Sequence, residues 1–275
     1  MRRSHLQPTH RARKRFGQHF LHDPSVIARI VCAIDPRAED RLVEIGPGLG
    51  AITLPLLERV NELHAIEIDR DAIRELRAAT AGRGVLHIHE SDILQFDLHA
   101  LADQAPLRVV GNLPYNISTP LLFHLIEQQD CILDMHFMLQ KEVVDRMAAA
   151  PGSKSYGRLT VMLAPWVHVE RLFDIGPGAF RPPPKVMSSV VRLTPHPASP
   201  LQILNYDRFA AVVGAAFAQR RKTLRNALKA MLPAEEIAAA GVDPGARAEV
   251  VPPTGFAALA NRLARAGAST HAAQL

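Results

Sequence analysis

Between Arg41 and Leu139, five short apolar runs alternate with helix-like patterns. The runs are 41–45, 62–68, 85–89, 107–110 and 132–139. This rhythm leaves few architectures open, because parallel strands need crossover helices and those helices cover the sheet faces. It predicts an α/β fold with a Rossmann-like, doubly wound, mostly parallel sheet. Ligands of such sheets bind beyond the carboxyl ends of the strands. The residues that end each run therefore carry the functional argument.

The first run leads into Gly46-Pro47-Gly48-Leu49-Gly50. A nicotinamide fingerprint would place its third glycine at position 51, where this chain has Ala51. Glycine-rich turns also admit other adenosine cofactors, because only glycine lets a ligand approach the backbone so closely. The second run ends in Glu67-Ile68-Asp69, with Glu67 placed to accept hydrogen bonds from two ribose hydroxyls. The third ends in Ser91-Asp92, where a carboxylate can accept from an adenine amino group. The fourth ends in Gly111-Asn112-Leu113-Pro114-Tyr115. Asn112 offers an amide oxygen. Pro114 stiffens the loop and favours an extended Leu113 with an outward carbonyl. Tyr115 adds a flat ring. Two acceptors and a stacking ring suit a planar base that carries an exocyclic amino group. Ser118-Thr119-Pro120 then reads as the cap and first turn of a helix.

Taken singly, these residues are ordinary turn glycines, helix caps and solvated carboxylates. Their arrival at successive strand ends favours a shared site. No G-x-x-x-x-G-K-[ST] pattern occurs, so phosphate transfer has no support. His87 and His89 alternate along the third run and share a face. With no carboxylate or cysteine at ligand spacing in sequence, they read as exposed strand residues, and no metal site is expected.

The 275 residues carry a formal net charge of +5. The charge is concentrated in Arg2, Arg3, Arg11, Arg13, Lys14 and Arg15, and again in Arg220, Arg221, Lys222, Arg225 and Lys229. No carboxylate lies between Asp207 and Glu235, so the second cluster reads as the basic face of a helix from Phe217 to Arg225, suited to phosphates. The two cysteines, Cys32 and Cys131, fit neither a disulfide framework nor a zinc spacing and are expected reduced and buried. No apolar run approaches a membrane span and no secretory signal is evident, which points to a cytoplasmic protein. Three regions are expected: a basic arm over 1–15, a sheet domain over 16–197, and a small all-helical domain over 198–275, joined by a proline-rich linker at 194–200.

Seven segments together resemble the KsgA-type ribosomal RNA adenine dimethyltransferases. They are K-R-F-G-Q-H-F-L, E-I-G-P-G-L-G, Glu67-Ile68-Asp69, Ser91-Asp92, G-N-L-P-Y-N-I-S, F-R-P-P-P-K-V and Q-R-R-K-T-L-R-N, in family order from Lys14 to Asn226. The resemblance implies S-adenosylmethionine as methyl donor. It further implies dimethylation of two adjacent adenosines near the 3′ end of small-subunit rRNA; the expected partner is rRNA in immature subunits, and a monomer is expected. In the sheet domain, His19 and Leu21 would fold over the cofactor, Gly46 would approach its methionine part, Glu67 the ribose and Asp92 the adenine. Asn112 would stand between cofactor and target, Leu113 would supply its carbonyl, and Tyr115 and Phe180 would stack on the base. Arg220, Arg221, Lys222 and Arg225 would hold RNA. The family usually has asparagine where this chain has His19; histidine still donates and accepts, so the position is kept. Two rivals stand beside this reading: a large-subunit rRNA adenine methyltransferase conferring macrolide resistance, and a non-catalytic ribosome assembly factor.

Overall fold

The computed structural model describes residues 19–102, 105–114, 117–219 and 221–272, with side chains as far as Ala266. Nine strands and ten α-helices are formed among these residues. In chain order they begin with β1 (Phe20–Leu21), α1 (Pro24–Ile34), β2 (Leu42–Ile45), α2 (Thr53–Leu57), β3 (Glu62–Glu67) and α3 (Arg70–Thr80). There follow β4 (Val85–Glu90), β5 (Leu107–Asn112), α4 (Ser118–Ile126), β6 (Ile132–Gln140), α5 (Lys141–Met147) and α6 (Arg158–Leu163). Next come β7 (Val167–Ile175), β8 (Phe180–Arg181) and β9 (Ser188–Pro195). The last helices are α7 (Tyr206–Phe217), α8 (Leu224–Ala227), α9 (Ala234–Ala239) and α10 (Pro253–Ala272).

Local chemistry explains the boundaries. Asp23 caps α1 by accepting from the Ser25 and Val26 N–H groups, and Pro24 takes the first helical position, where no N–H is needed. Asp35, at φ 49°, ends the helix ahead of Pro36. At α4 the cap position is Ile117, because the Leu121 N–H reaches the Ile117 carbonyl at 2.9 Å; Ser118, expected as the cap, is the first helical residue.

Seven strands form one sheet in the order β4-β3-β2-β5-β6-β9-β7. The pairs β3–β4, β2–β3, β2–β5 and β5–β6 are parallel, whereas β6–β9 is antiparallel. The winding direction reverses between β2 and β5, so the crevice that binds ligands in open α/β sheets lies there. Gly111 permits that pairing: a Cβ on it would sit 2.6 Å from the Ile45 carbonyl oxygen.

The chain divides into two compact units, residues 1–141 with 170–195, and residues 142–169 with 196–275. The segment 142–169, expected in the sheet domain, thus belongs with the C-terminal helices. Its anchors explain why. Tyr156 donates its hydroxyl to the Val251 carbonyl at 2.7 Å, and the Gly152 N–H reaches the Glu249 carbonyl at 2.7 Å. Tyr156 and Val161 share a buried cluster with Phe209, Leu224 and Phe256. Thr194 and Pro195, expected in a linker, complete β9. The basic arm at 1–15 lies outside the described residues. Cys131 is buried as expected, but Cys32 is exposed on α1, and both are free thiols.

In the first unit, Arg108 ties β5 to its surroundings from a buried position. Its guanidinium donates to Asp40 at 2.6 Å, to Asp134 at 2.9 and 3.0 Å, and to the carbonyls of Ile34 and Asp35 at 2.6 and 3.1 Å. Removing one member of such a network strands the others without partners. Arg108→Met should lower the free energy of unfolding by roughly 3–5 kcal/mol, read by urea denaturation, because two carboxylates and two helix-end carbonyls lose their donor.

Candidate functional site

Four strand ends, those of β2, β3, β4 and β5, carry the candidate residues on the side of the β2–β5 crevice. β2 runs into the glycine turn, where Gly46, Gly48 and Gly50 all have positive φ, at 64°, 55° and 84°. A Cβ at Gly46 would meet nothing within 4 Å, so the turn faces open space at that point. Ile45 pairs with Gly111, which sets Gly46 beside Asn112 in adjacent strands.

Glu67 ends β3 and is only 8% exposed. Its Oε1 accepts from the N–H groups of Ile68 and Asp69 at 2.9 Å each, and Oε2 accepts from the Gly48 N–H at 3.3 Å. Burial pushes its carboxyl above the ordinary value, while these donors pull it back. A carboxylate offers about four acceptor positions, so one stays open and the long Gly48 bond can yield. Such a carboxylate can accept from a diol, whose two hydroxyls donate. Asp92, after β4, caps a short 3₁₀ turn with Oδ1, accepting from the Leu94 N–H at 3.0 Å, and Oδ2 takes no part in the cap.

Asn112 ends β5 half-buried, and its Nδ2 donates to the His19 carbonyl at 3.1 Å. A carbonyl only accepts, so this bond fixes which end of the amide is which. The Asn112 oxygen is left as the acceptor. The substitution at His19 becomes intelligible here. The backbone carbonyl of His19 does the positioning, and its ring Nδ1 instead meets the Pro182 carbonyl at 2.8 Å. Residues 19–22 form a strap. β1 pairs antiparallel with β8, the His22 N–H donates to the Ala179 carbonyl at 2.9 Å, and a Cβ on Gly48 would lie 3.3 Å from the Phe20 ring.

Leu113 is 1% exposed, and its N–H donates to the Met138 carbonyl at 3.2 Å, locking the loop backbone onto β6. Tyr115 lies outside the described residues. Phe180, expected to present an open ring face, is 2% exposed and belongs to the buried cluster that includes Leu21 and Val190. Pairing of β8 with the strap turns that ring inward, so it anchors the strap and offers no free stacking face.

The basic cluster also differs from expectation. Phe217 to Arg225 is not one helix: α7 stops at Phe217, and α8 begins at Leu224. Long-range backbone bonds impose the break. Thr223 bridges Arg247, the Leu224 N–H reaches the Ala246 carbonyl at 2.8 Å, and the Arg225 N–H reaches the Pro244 carbonyl at 2.9 Å. Leu224 and Leu228 are buried as expected, and Arg221, Lys222 and Arg225 are exposed on the turn and the short helix. Arg220 lies outside the described residues. Among the described residues, no salt bridge engages Arg221, Lys222, Arg225 or Lys229.

Comparison with known proteins agrees with this architecture. The family model for ribosomal RNA adenine dimethylase matches residues 9–265. The chain belongs to that family. It is 56% identical over 254 residues to ribosomal RNA small subunit methyltransferase A of Methylococcus capsulatus, covering 92% of this chain and 98% of the relative. The protein of that name from Xanthomonas campestris pv. campestris is 57% identical over 250 residues, covering 91% and 95%. Among solved structures, a dimethyladenosine transferase from Plasmodium falciparum superposes with a TM-score of 0.79 at 25% identity, covering 90% and 98%. The 23S rRNA methyltransferase ErmE gives 0.71 at 26%, covering 89% and 99%.

One buried carboxyl near the glycine turn escaped the sequence reading. Glu44 lies inside β2, 2% exposed, two residues before Gly46. Burial pushes its carboxyl up to about 7, although the Thr53 hydroxyl donates to it at 2.6 Å and nearby Glu67 raises it further. A lone acidic residue inside an otherwise apolar strand was the available signal. Because the folded value lies above the unfolded 4.5, the folded state binds the extra proton between about pH 4.5 and 7. Stability from this group is therefore present at low pH and lost as pH rises through that window. Glu44→Gln keeps an acceptor for Thr53 and removes the titration. The drop in unfolding free energy from pH 4.5 to pH 8 should shrink by roughly 2–3 kcal/mol in the variant, measured by urea unfolding at both pH values.

Proposed function

We propose that this chain methylates the N6 atoms of two adjacent adenosines near the 3′ end of small-subunit rRNA, taking each to N6,N6-dimethyladenosine. Family membership makes it an S-adenosylmethionine-dependent rRNA adenine methyltransferase. The small-subunit assignment rests on relatives 56–57% identical over almost their whole length. The large-subunit alternative draws on a 26% identical structure and is the weaker reading. A purely non-catalytic assembly role would leave the arrangement of Glu67, Asp92 and Asn112 without a purpose. The working protein is read as a cytoplasmic monomer acting on immature subunits; among the described residues, no helix is long and apolar enough to cross a membrane.

The observation that carries the mechanism is the Asn112 amide, turned by the His19 carbonyl so that its oxygen is the available acceptor. S-adenosylmethionine supplies an electrophilic methyl carbon. The residues that fit it are Gly46 at the open turn, Glu67 for the ribose diol and Asp92 for the adenine amino group, with His19 and Leu21 in the strap above. Adenine N6 is a weak nucleophile because its lone pair is delocalised into the ring. No strong base is needed, since N6 becomes acidic once it carries positive charge. What the protein must do is orient the amino group and draw its lone pair out of conjugation. The Asn112 oxygen and the Leu113 carbonyl accept the two N6 protons, which does both and stabilises the developing charge. Tyr115 stacks on the extruded base, and the proton leaves to water. Arg220, Arg221, Lys222 and Arg225 hold the RNA backbone.

Labelled methyl transfer to immature small and large ribosomal subunits, followed by nucleoside analysis, tests the reading. Dimethyladenosine in small-subunit rRNA is the expected result, and product confined to the large subunit would overturn it. Asn112→Ala should slow single-turnover methyl transfer by roughly 10²-fold while RNA affinity stays close to wild type, because the hydrogen bond strengthens only as charge builds on N6. Arg221→Glu with Arg225→Glu should weaken RNA binding and flatten the plot of log K against log salt by about 0.7–0.9 for each phosphate no longer neutralised. Affinity for S-adenosylmethionine, measured by calorimetry, should not change.

A further inference from the structure

The edge of the sheet away from the crevice carries a cluster that the methyl-transfer reading does not use. β4 pairs only with β3, in parallel, with His64 opposite His87 and Ile66 opposite His89. This register brings His64, His87 and His89 onto one face. The His64 ring stacks on His87 with centroids 4.8 Å apart and on His89 at 5.3 Å. Glu62, two residues before His64 on the same face, places Oε2 3.5 Å from His87 Nε2. The carboxylate missing from the sequence around His87 and His89 is thus supplied by the neighbouring strand.

We propose that Glu62, His64 and His87 bind a divalent transition-metal ion of the zinc class, clipping β3 to β4. One ligand atom from each of the three lies within 4.8 Å of the others. Ligand atoms around a tetrahedral zinc ion lie roughly 3.3 Å apart, from bond lengths near 2.0–2.1 Å. The His64 and His87 rings are stacked, so a common ion requires the exposed His87 ring to turn out of the stack together with a rotation of the half-buried Glu62 side chain; at 46% and 43% exposed, both have room to turn. Two imidazoles with one carboxylate favour zinc, copper or nickel over magnesium or calcium, which take oxygen ligands. His89 supplies the outer hydrogen bond such sites use to hold a ligating ring in place: its Nε2 lies 3.0 Å from His64 Nδ1, so one nitrogen donates to the other. Solvent reaches the cluster directly through the exposed His87 and half-buried Glu62, and Glu62 also lines a cavity of about 670 Å³ with Asp40, Arg41, Asn61 and Val85. The clip would act at an edge of the sheet, on a strand with one neighbour in that sheet.

The test is a calorimetric titration of the metal-free, full-length protein with Zn²⁺, alongside Mg²⁺. The expected result is Zn²⁺ binding that weakens by at least about tenfold in His87→Gln and in Glu62→Gln, no Mg²⁺ binding at the same concentrations, and a Tm that rises with Zn²⁺ in the wild type but in neither of these variants. His99→Gln is the control, because His99, Asp130 and Cys131 form a second group of candidate ligand atoms. Zn²⁺ affinity unchanged in the double variant His87→Gln with Glu62→Gln, or lost in His99→Gln instead, would overturn the proposal. Co²⁺ substituted into the wild-type protein gives a readout that needs no variant. Intense visible bands of low-coordinate cobalt are expected, and the weak spectrum of the hydrated ion would count against the site.

Discussion

The close approach of β2 and β5 is the constraint on which the site depends. A parallel ladder holds the two backbones together, and at Gly111 the Ile45 carbonyl oxygen occupies space that any side chain would need. Any larger residue there would push apart the two strands whose ends carry the glycine turn and Asn112. The winding of the sheet reverses at this same junction, so no crossover helix covers the crevice between them. Absence of a side chain at Gly111 thereby lets the Asn112 loop lie beside a glycine turn more than sixty positions earlier in the chain.

The crevice is then finished by backbone groups more than by side chains. Glu67 is oriented by three N–H donors, Asn112 by the His19 carbonyl, and Leu113 by the Met138 carbonyl. Such hydrogen bonds tolerate a change of side chain as long as the strand path is kept. The identity of the side chain at position 19 can therefore vary as far as the Asn112 contact is concerned. The strap remains paired to β8, and the carbonyl that turns the Asn112 amide is present whatever ring hangs from that residue.

Burial sets the electrostatic character of the sheet. Glu44 and Glu67 lie close together beneath and beside the glycine turn, and desolvation raises both carboxyls. Arg108, at the other end of β5, is held by two carboxylates and two helix-end carbonyls. Polar groups at the two ends of the strand thus do different work. One end stabilises the fold by complete pairing, while the other keeps acceptors in reserve for a ligand.

Much of this was legible in the sequence because it is local. Alternating apolar runs and helical patterns are written residue by residue, as are Asp23-Pro24 at the start of α1 and the strand-end residues Gly46, Glu67, Asp92 and Asn112. Recognition of the family needed only the order of its segments. Other features depend on partners far along the chain. The Asn112 amide is turned by a carbonyl 93 positions away. Phe180 is drawn into the core by a strand pairing with Leu21, and the expected helix through Arg221 is broken by bonds to Pro244 and Ala246. Glu62 and His64 reach His87 only through the register of β3 with β4. Side-chain pattern and backbone propensity decide which elements form, but hydrogen bonds between distant segments decide which way an amide, a ring or an imidazole faces, and those exist only once the sheet is assembled.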